Sequence, residues 1–301
     1  MPEYRKEFAA IPGRQVFVYR FGGRGNDWCF VRTPEDYDPN REKPYPFLLC
    51  CHGNGWVMDG TLPFANWTKR TMYLPPDDPA VSAAPAQYNP TQDETLWYSN
   101  PTVELFLKNG YVVCGCENYG DLLFGNDNCS TACADFFRHI TEHYHVEPGC
   151  CMLGASNGAQ TCLGAVRLLP GRVYALILQY PLTCLLNQYR AHPAHRRAME
   201  AAYGVAPGSG AEQALAAAVS DRDLLSADVT DGGKKGEFPP TLLIYSREDT
   251  VVPCGENALA MAALLHRSGM EYRLMEASGE HGDASHFVPE AFLEWAQMHR
   301  A

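Results

Sequence analysis

Short, wholly apolar runs recur along this chain, and amphipathic stretches with helical spacing separate them. The runs that carry the pattern are YPFLLCC, YVVCGC, CCML, YALILQYPL and PPTLLIY. Strands of a parallel sheet read as such continuous runs, because helices cover both faces of the sheet and leave no side of the strand in water. The pattern therefore predicts an α/β fold, with a central, mostly parallel sheet and helices on both faces.

Composition and charge limit the partners of the protein. The chain has 301 residues, of which 46% are hydrophobic and 20% are charged, with a formal net charge of -11. This acidity disfavours binding to phosphate backbones. The opening residues MPEYRKEFAAIPGRQ lack the continuous apolar segment of a secretory leader, and no uncharged run reaches membrane-spanning length. We expect a cytoplasmic protein without nucleic-acid or membrane partners, whose oligomeric state stays open.

The cysteine pattern predicts buried thiols. The chain has 12 cysteines, and many fall in adjacent or near-adjacent positions inside the apolar runs. Cysteine behaves there as a small hydrophobic residue. No C-x-x-C pair is present for zinc binding or thiol exchange, and the spacing of Cys129 and Cys133 by one helical turn favours a structural role. The pattern is typical of a reducing compartment.

We interpret the whole chain, 1–301, as a single domain that carries two insertions. The first, about 56–101, is rich in proline and aromatic residues, and the second, about 183–237, is mainly helical. Long connections with little regular structure are often lids or pocket walls, although a surface excursion packed by its own aromatic rings is an equal reading. Trp56, Trp67, Trp97 and Tyr98 are candidates for stacking on an aryl or sugar group.

A serine between two glycines follows the CCML run. The stretch GASNG places Ser156 between an apolar strand and helix-forming residues, which is the context of a G-x-S-x-G nucleophile elbow. Such a turn strains the backbone of the serine and leaves no room for side chains at Gly154 and Gly158. The hydroxyl then lies at a helix N-terminus, where backbone N–H groups favour developing negative charge.

A serine nucleophile needs a base and an acid that orients the base. Asp249 follows an apolar strand in LLIYSREDTVVP and is preferred over its neighbour Glu248. The loop EASGEHGDASHF holds two histidines, His281 and His286. We favour His281 as the base, and His286 remains the alternative.

Backbone donors for an oxyanion are expected beside the serine. In CCHGNGW, the loop after an apolar run predicts the N–H of Asn54 as one donor, and the N–H of Asn157 as the other. His52 is expected to brace this loop rather than to transfer protons. Gly55, Trp56 and Tyr119 are candidate substrate-binding residues.

One long amphipathic helix is predicted over STACADFFRHITEHYHV, with Ser130 as its possible N-cap. It carries His139 and His143 four residues apart. We do not expect a metal site there, because the H-E-x-x-H arrangement is absent.

The motifs HGNG, GASNG, DTVVP and GEHG together resemble those of the α/β-hydrolase superfamily, in particular its esterase and prolyl-oligopeptidase-like branches. The resemblance runs from about Pro46 to the C-terminus, outside the two insertions. HGNG replaces the HGGG of the branch similar to hormone-sensitive lipase. The resemblance implies an eight-stranded, mainly parallel sheet, a Ser-His-Asp triad, a covalent acyl-enzyme and no metal or organic cofactor.

The function expected from these residues is hydrolysis of a small carboxylic ester. Two alternatives stay open at this point. One is a serine peptidase of the prolyl-oligopeptidase type, which would use the same triad on an amide. The other is a catalytically silent protein of the same fold that serves as a binding module.

Overall fold

The computed structural model describes residues 29–53, 101–116, 118, 124–220 and 238–300, together with the backbone of residues 16–20, 28, 56–57 and 65–66. The strands are β1 (Val16–Arg20), β2 (Trp28–Arg32), β3 (Phe47–Cys51), β4 (Trp56–Val57), β5 (Ala65–Asn66), β6 (Val112–Cys116), β7 (Cys150–Ala155), β8 (Val173–Gln179), β9 (Thr241–Ser246) and β10 (Tyr272–Ala277). The helices are α1 (Pro101–Lys108), α2 (Asp127–His143), α3 (Gly158–Leu168), α4 (Leu185–Ala191), α5 (Pro193–Ala202), α6 (Ala211–Ala218), α7 (Ala258–Arg267) and α8 (Pro289–His299).

Eight of the described strands form one sheet in the order β1-β2-β6-β3-β7-β8-β9-β10. The pairings β1·β2 and β2·β6 are antiparallel, and every other pairing in this sheet is parallel. The short strands β4 and β5 pair separately from it. The predicted mostly parallel sheet is confirmed.

The two faces of the sheet are buried by different helices. On one face, Leu49 and Cys51 of β3 pack in a core shared with α2, α3 and α7. On the other face, Leu48 and Cys50 pack in a core shared with α1 and α8. Neighbouring residues of a strand point to opposite faces, so each face needs its own apolar set. This explains why the strands are apolar at every position rather than at every second one.

A third apolar core lies under the second predicted insertion. Three helices, α4, α5 and α6, pack around Leu185, Met199 and Leu215, and Val252 from the loop after β9 joins them. The mainly helical character predicted for 183–237 is thus present as far as residue 220, and 221–237 lie outside the described residues. The division of the chain into one domain with two insertions stays a prediction.

The thiols are packed as the sequence suggested. Eleven of the 12 cysteines are buried, and none of the 12, all of which the structure describes, forms a disulfide. Burial raises the pKa of Cys129 to about 12, so this thiol stays protonated. In the described part of the chain, no helix is long and apolar enough to cross a membrane.

The predicted N-cap of the long helix was wrong. α2 begins at Asp127, and Asn126 caps it by accepting a hydrogen bond from the N–H of Cys129. Ser130 lies inside the helix, where its hydroxyl donates to the carbonyl of Asn126. The stretch from Asn126 to Ser130 offers several good capping residues, and only the direction in which the chain enters the helix selects among them.

The histidines of α2 interact with each other. The rings of His139 and His143 stack with their centroids 4.3 Å apart, and Nδ1 of His143 hydrogen-bonds the carbonyl of His139 at 2.9 Å. Burial, together with the charge of His143, lowers the pKa of His139 to about 4. Within the described residues, no group of three or more His, Cys, Asp or Glu side chains is placed to hold a metal ion.

Candidate active site

Ser156 occupies the sharp turn between β7 and α3. Its φ of 51° lies in the left-handed region, which costs a non-glycine residue on the order of 1–3 kcal/mol. Two backbone hydrogen bonds tie this residue to the end of β8 and the residues after it: the N–H of Ser156 donates to the carbonyl of Gln179 at 2.9 Å, and its carbonyl accepts from the N–H of Leu182 at 3.0 Å. The turn is therefore fixed by the end of the neighbouring strand β8 and the residues that follow it.

Close packing explains the glycines on both sides of the serine. A Cβ at Gly154 would lie 2.8 Å from Sγ of Cys162 and 2.9 Å from the carbonyl oxygen of Gly158. A Cβ at Gly158 would lie 2.6 Å from the carbonyl oxygen of His52. All three distances are shorter than real Cβ contacts, so α3 can approach β7 and the loop after β3 only without these side chains.

The structure brings Ser156 and His281 together. Oγ of Ser156 lies 2.8 Å from Nε2 of His281, which is hydrogen-bonding distance. His286, the alternative base, is the last residue of a short 3₁₀ helix, Ala284–His286. Its imidazole is fully buried, and neither ring nitrogen has a hydrogen-bond partner among the described residues.

Asp249 holds the other side of the His281 ring. Oδ2 of Asp249 lies 2.7 Å from Nδ1 of His281, and the two side chains are 2% and 10% exposed. The second carboxylate oxygen, Oδ1, accepts the backbone N–H groups of Val251 and Val252 at 2.9 and 2.8 Å. Both oxygens are thus engaged. An Asp that accepts at Nδ1 leaves Nε2 of the neutral imidazole free of a proton, so Nε2 can accept the proton of Ser156.

Two exposed latches join the loops that carry the acid and the base. We call residues 247–252 the acid loop and residues 278–286 the base loop. Glu248 of the acid loop accepts the N–H of Gly279 at 2.9 Å, and Oγ1 of Thr250 donates to Glu280 at 3.0 Å. The carboxylate that the sequence analysis rejected as the acid therefore has a different contact, on the base loop. Sequence reasoning missed both latches.

Tyr180 lies against both histidines of the base loop. Its ring centroid is 4.8 Å from that of His281, in a T-shaped arrangement, and 5.0 Å from that of His286. Its φ of 35° is a second strained position beside the serine turn. Burial lowers the pKa of His286 below its ordinary value, although the charge of Asp249 acts in the opposite direction. A neutral His286 places no positive charge beside His281.

The loop after β3 approaches the serine from the other side. A Cβ at Gly53 would lie 3.1 Å from the Cβ of Ser156. His52 is buried, and its Nδ1 is 2.9 Å from the carbonyl oxygen of Gly53, to which it donates. Asn157 is buried at the N-terminus of α3, directly after the serine. Gly53, which precedes the predicted donor Asn54, and Asn157, the other predicted donor, therefore both lie next to Ser156.

Several predicted site residues lie outside the described residues. These are Asn54, Gly55, Tyr119 and three aromatic candidates, Trp67, Trp97 and Tyr98; of Trp56 only the backbone is described. Asn118, beside the predicted pocket residue Tyr119, is buried and accepts a hydrogen bond from the thiol of Cys116 at 3.1 Å.

Helices α4 and α5 bring further polar residues to this end of the sheet. Nε2 of Gln188 donates to the carbonyl of Val251 at 3.1 Å and lies 2.8 Å from Nδ1 of His195. Burial lowers the pKa of His195 to about 4, helped by the charges of His192 and His281. We call Gln188 and His195 the wall of the site. The sequence offered no signal for it, because these residues meet only when the helices pack on the acid loop.

Solved structures share this architecture. A puromycin-hydrolyzing peptidase of Mycobacterium tuberculosis superimposes with a TM-score of 0.63 and 17% sequence identity, over 95% of this chain and 39% of that chain. An acylaminoacyl peptidase of Pyrococcus horikoshii gives 0.59 and 13%, over 95% and 40%. Est1E from Butyrivibrio proteoclasticus gives 0.55 and 15%, over 91% and 94%. The chain has the α/β-hydrolase fold.

This α/β-hydrolase-fold chain spans about two fifths of the length of the two peptidases. No protein-family model matches it, and neither does any curated protein sequence. At these identities the likeness establishes the fold, and the chemistry has to be argued from the site.

Proposed function

We propose that the protein is a serine hydrolase that cleaves a small carboxylic ester through an acyl-enzyme. The observation that carries this proposal is the unbroken series of contacts from Oγ of Ser156 to Nε2 of His281, at 2.8 Å, and from Nδ1 of His281 to Asp249, at 2.7 Å. Base and nucleophile are within proton-transfer distance, and the base is oriented by a buried carboxylate.

The reaction follows from these contacts. Ser156 attacks the ester carbonyl while His281 takes its proton, and the C–O bond to the alcohol breaks as His281 returns that proton to the leaving oxygen. Water then attacks the acyl-enzyme by the same route and releases the acid, with Ser156 restored. Asp249 stabilises the imidazolium that forms in each half of the reaction. We assign the backbone N–H groups of Asn54 and Asn157 to the oxyanion.

Asp249→Asn is expected to reduce kcat on the order of 10⁴-fold with a smaller change in KM. The amide can present an N–H to Nδ1 of His281, which favours the tautomer whose proton sits on Nε2, facing the serine. Steady-state kinetics with p-nitrophenyl acetate measure the effect. Glu248→Gln is the matched control on the adjacent carboxylate, and a loss of comparable size there would point to general damage to the loops rather than to the acid.

The choice between ester and amide substrates needs a direct comparison. The amine of an amide is a poorer leaving group than the alcohol of an ester, and its nitrogen must be protonated before it leaves. A site that cleaves amides therefore also cleaves activated esters, whereas a site that cleaves esters need not cleave amides. We expect p-nitrophenyl esters of short acids to be cleaved with a kcat/KM far above that of aminoacyl p-nitroanilides. Faster turnover of any anilide in the same panel would contradict the esterase assignment and support a peptidase.

The peptidase is the second candidate because two of the similar structures are described as peptidases. The silent binding module is weaker, since a candidate for each triad role is present and in contact. Four further proposals rest on the sequence. They are a small-molecule substrate, the absence of nucleic-acid and membrane partners, a cytoplasmic location, and substrate binding by Gly55, Trp56 and Tyr119.

A further inference from the structure

We infer that Gln179 is a positioning residue, which fixes the distance between nucleophile and base by holding the serine turn and the base loop at once. The inference rests on the proposed function, because it assigns a role in the same reaction. It starts from a glutamine at the last position of β8 that is fully buried. A buried amide at the end of a parallel strand needs an explanation that apolar packing does not provide.

Gln179 contacts the two sides of the site through different atoms. Its backbone carbonyl accepts the N–H of Ser156 at 2.9 Å, and its side-chain Nε2 donates to the carbonyl of His286 at 3.0 Å. β8 is paired with β7 through Ala155 and with β9 through Ile244, so the backbone of Gln179 is held by the sheet on both sides. The side chain is therefore a short, rigid connection between the strand and the base loop.

The base loop passes this restraint on to His281. The N–H of His286 donates to the carbonyl of Asp283, and the N–H of Asp283 donates to the carbonyl of Glu280, each at 3.0 Å. These successive turns leave little freedom between the point that Gln179 holds and the catalytic imidazole. The exposed latches of Glu248 and Glu280 join the base loop to the acid loop, but they do not reach the serine turn.

Loss of the amide should therefore lengthen or loosen the contact between Ser156 and His281. Misplacement of reacting groups by about 1 Å can cost on the order of 100-fold in rate. Substrate binding does not depend on this contact, so the effect should fall on kcat. A merely structural role would lower the melting temperature and leave the kcat of the folded enzyme intact.

The first test compares Gln179→Met with Gln160→Met. Gln160 is a matched control, since it is also buried and its amide atoms have no hydrogen-bond partner among the described residues. With p-nitrophenyl acetate, Gln179→Met is expected to lower kcat about tenfold to 100-fold with KM changed less than about threefold. The rate of inactivation by a fluorophosphonate should fall in parallel, and Gln160→Met should alter neither.

Gln179→Glu supplies a readout that folding alone would not give. A protonated carboxyl has the shape of the amide and can donate to the carbonyl of His286, whereas the carboxylate cannot donate. The kcat of this variant relative to the wild type is expected to rise as the pH falls, at pH values where circular dichroism shows both proteins folded.

Other titratable groups act in this region. Asp249, His281 and Asp283 act on the imidazole of His286, and Tyr180 lies against its ring. These groups are present in both proteins, so they contribute to both pH profiles of kcat. The ratio of the two kcat values therefore reports the introduced carboxyl.

Each outcome has a separate meaning. A folded Gln179→Met enzyme with undiminished kcat, or a Gln179→Glu ratio that stays flat with pH, overturns the positioning role while the wild type remains an active hydrolase. A wild type that neither turns over esters nor reacts with the phosphonate overturns the proposed function and the positioning role with it. A loss of kcat without a change in KM, reversed in part by protonation of the glutamate, supports the inference.

Discussion

Ser156→Ala is expected to lower kcat on p-nitrophenyl acetate by on the order of 10⁶-fold, to the level that binding and oxyanion stabilisation alone can sustain. The reason is that the covalent route disappears: among the described residues, the hydroxyl of Ser156 is the one that hydrogen-bonds Nε2 of His281. The fold should survive, because alanine keeps the Cβ that packs against the loop after β3.

Melting temperature and turnover of this variant should be measured together. Removal of the side chain at a strained position adds no new clash, so the melting temperature is expected to stay within a few degrees of the wild type. Ser220→Ala is the control, since this serine follows α6 and its hydroxyl donates to the nearby carbonyl of Ala217. Full turnover by Ser156→Ala would show that the chemistry takes place elsewhere.

His281→Gln is expected to lose nearly as much activity as Ser156→Ala, again on the order of 10⁶-fold in kcat. Glutamine preserves polarity and hydrogen bonding near Asp249 but cannot accept the proton of the serine at neutral pH. The imidazole of His281 is the group that lies 2.8 Å from that hydroxyl, and we propose it as the base.

His286→Leu is the comparison that separates the two histidines. The imidazole of His286 is buried without a hydrogen-bond partner among the described residues, so leucine replaces it at little cost in polar contacts. We expect a loss of at most about tenfold in kcat, through altered packing on Tyr180. Kinetics in which His286→Leu is inactive and His281→Gln retains turnover would reverse the assignment of the base.

The strands, and the order along the chain of the candidate nucleophile, acid and base, could be predicted from local sequence. An apolar run that is buried on both faces has few alternatives to a central strand, and a glycine-flanked serine directly after such a run has few alternatives to a tight turn into a helix. Asp249 could be selected for a similar reason, since it follows the apolar run of β9. These predictions depend on residues that are neighbours in the sequence, so a single sequence is enough to make them.

The choice of base could not be settled in this way. His281 and His286 stand close together in an irregular loop, where no periodicity says which side chain points to the serine. The imidazole of His286, at the end of a 3₁₀ helix, packs against the ring of Tyr180, a residue that follows β8 and is distant in the chain. Gln179 and the wall formed by Gln188 and His195 were missed for the same reason, because contacts distant in sequence define them.

Whether Ser156 is the nucleophile can be measured by treating the folded protein with a fluorophosphonate and locating the adduct by peptide mass spectrometry. We expect one phosphonylated residue, Ser156, with labelling that is abolished in Ser156→Ala and strongly slowed in His281→Gln. An unlabelled wild type, or an adduct on a different side chain, would contradict this assignment.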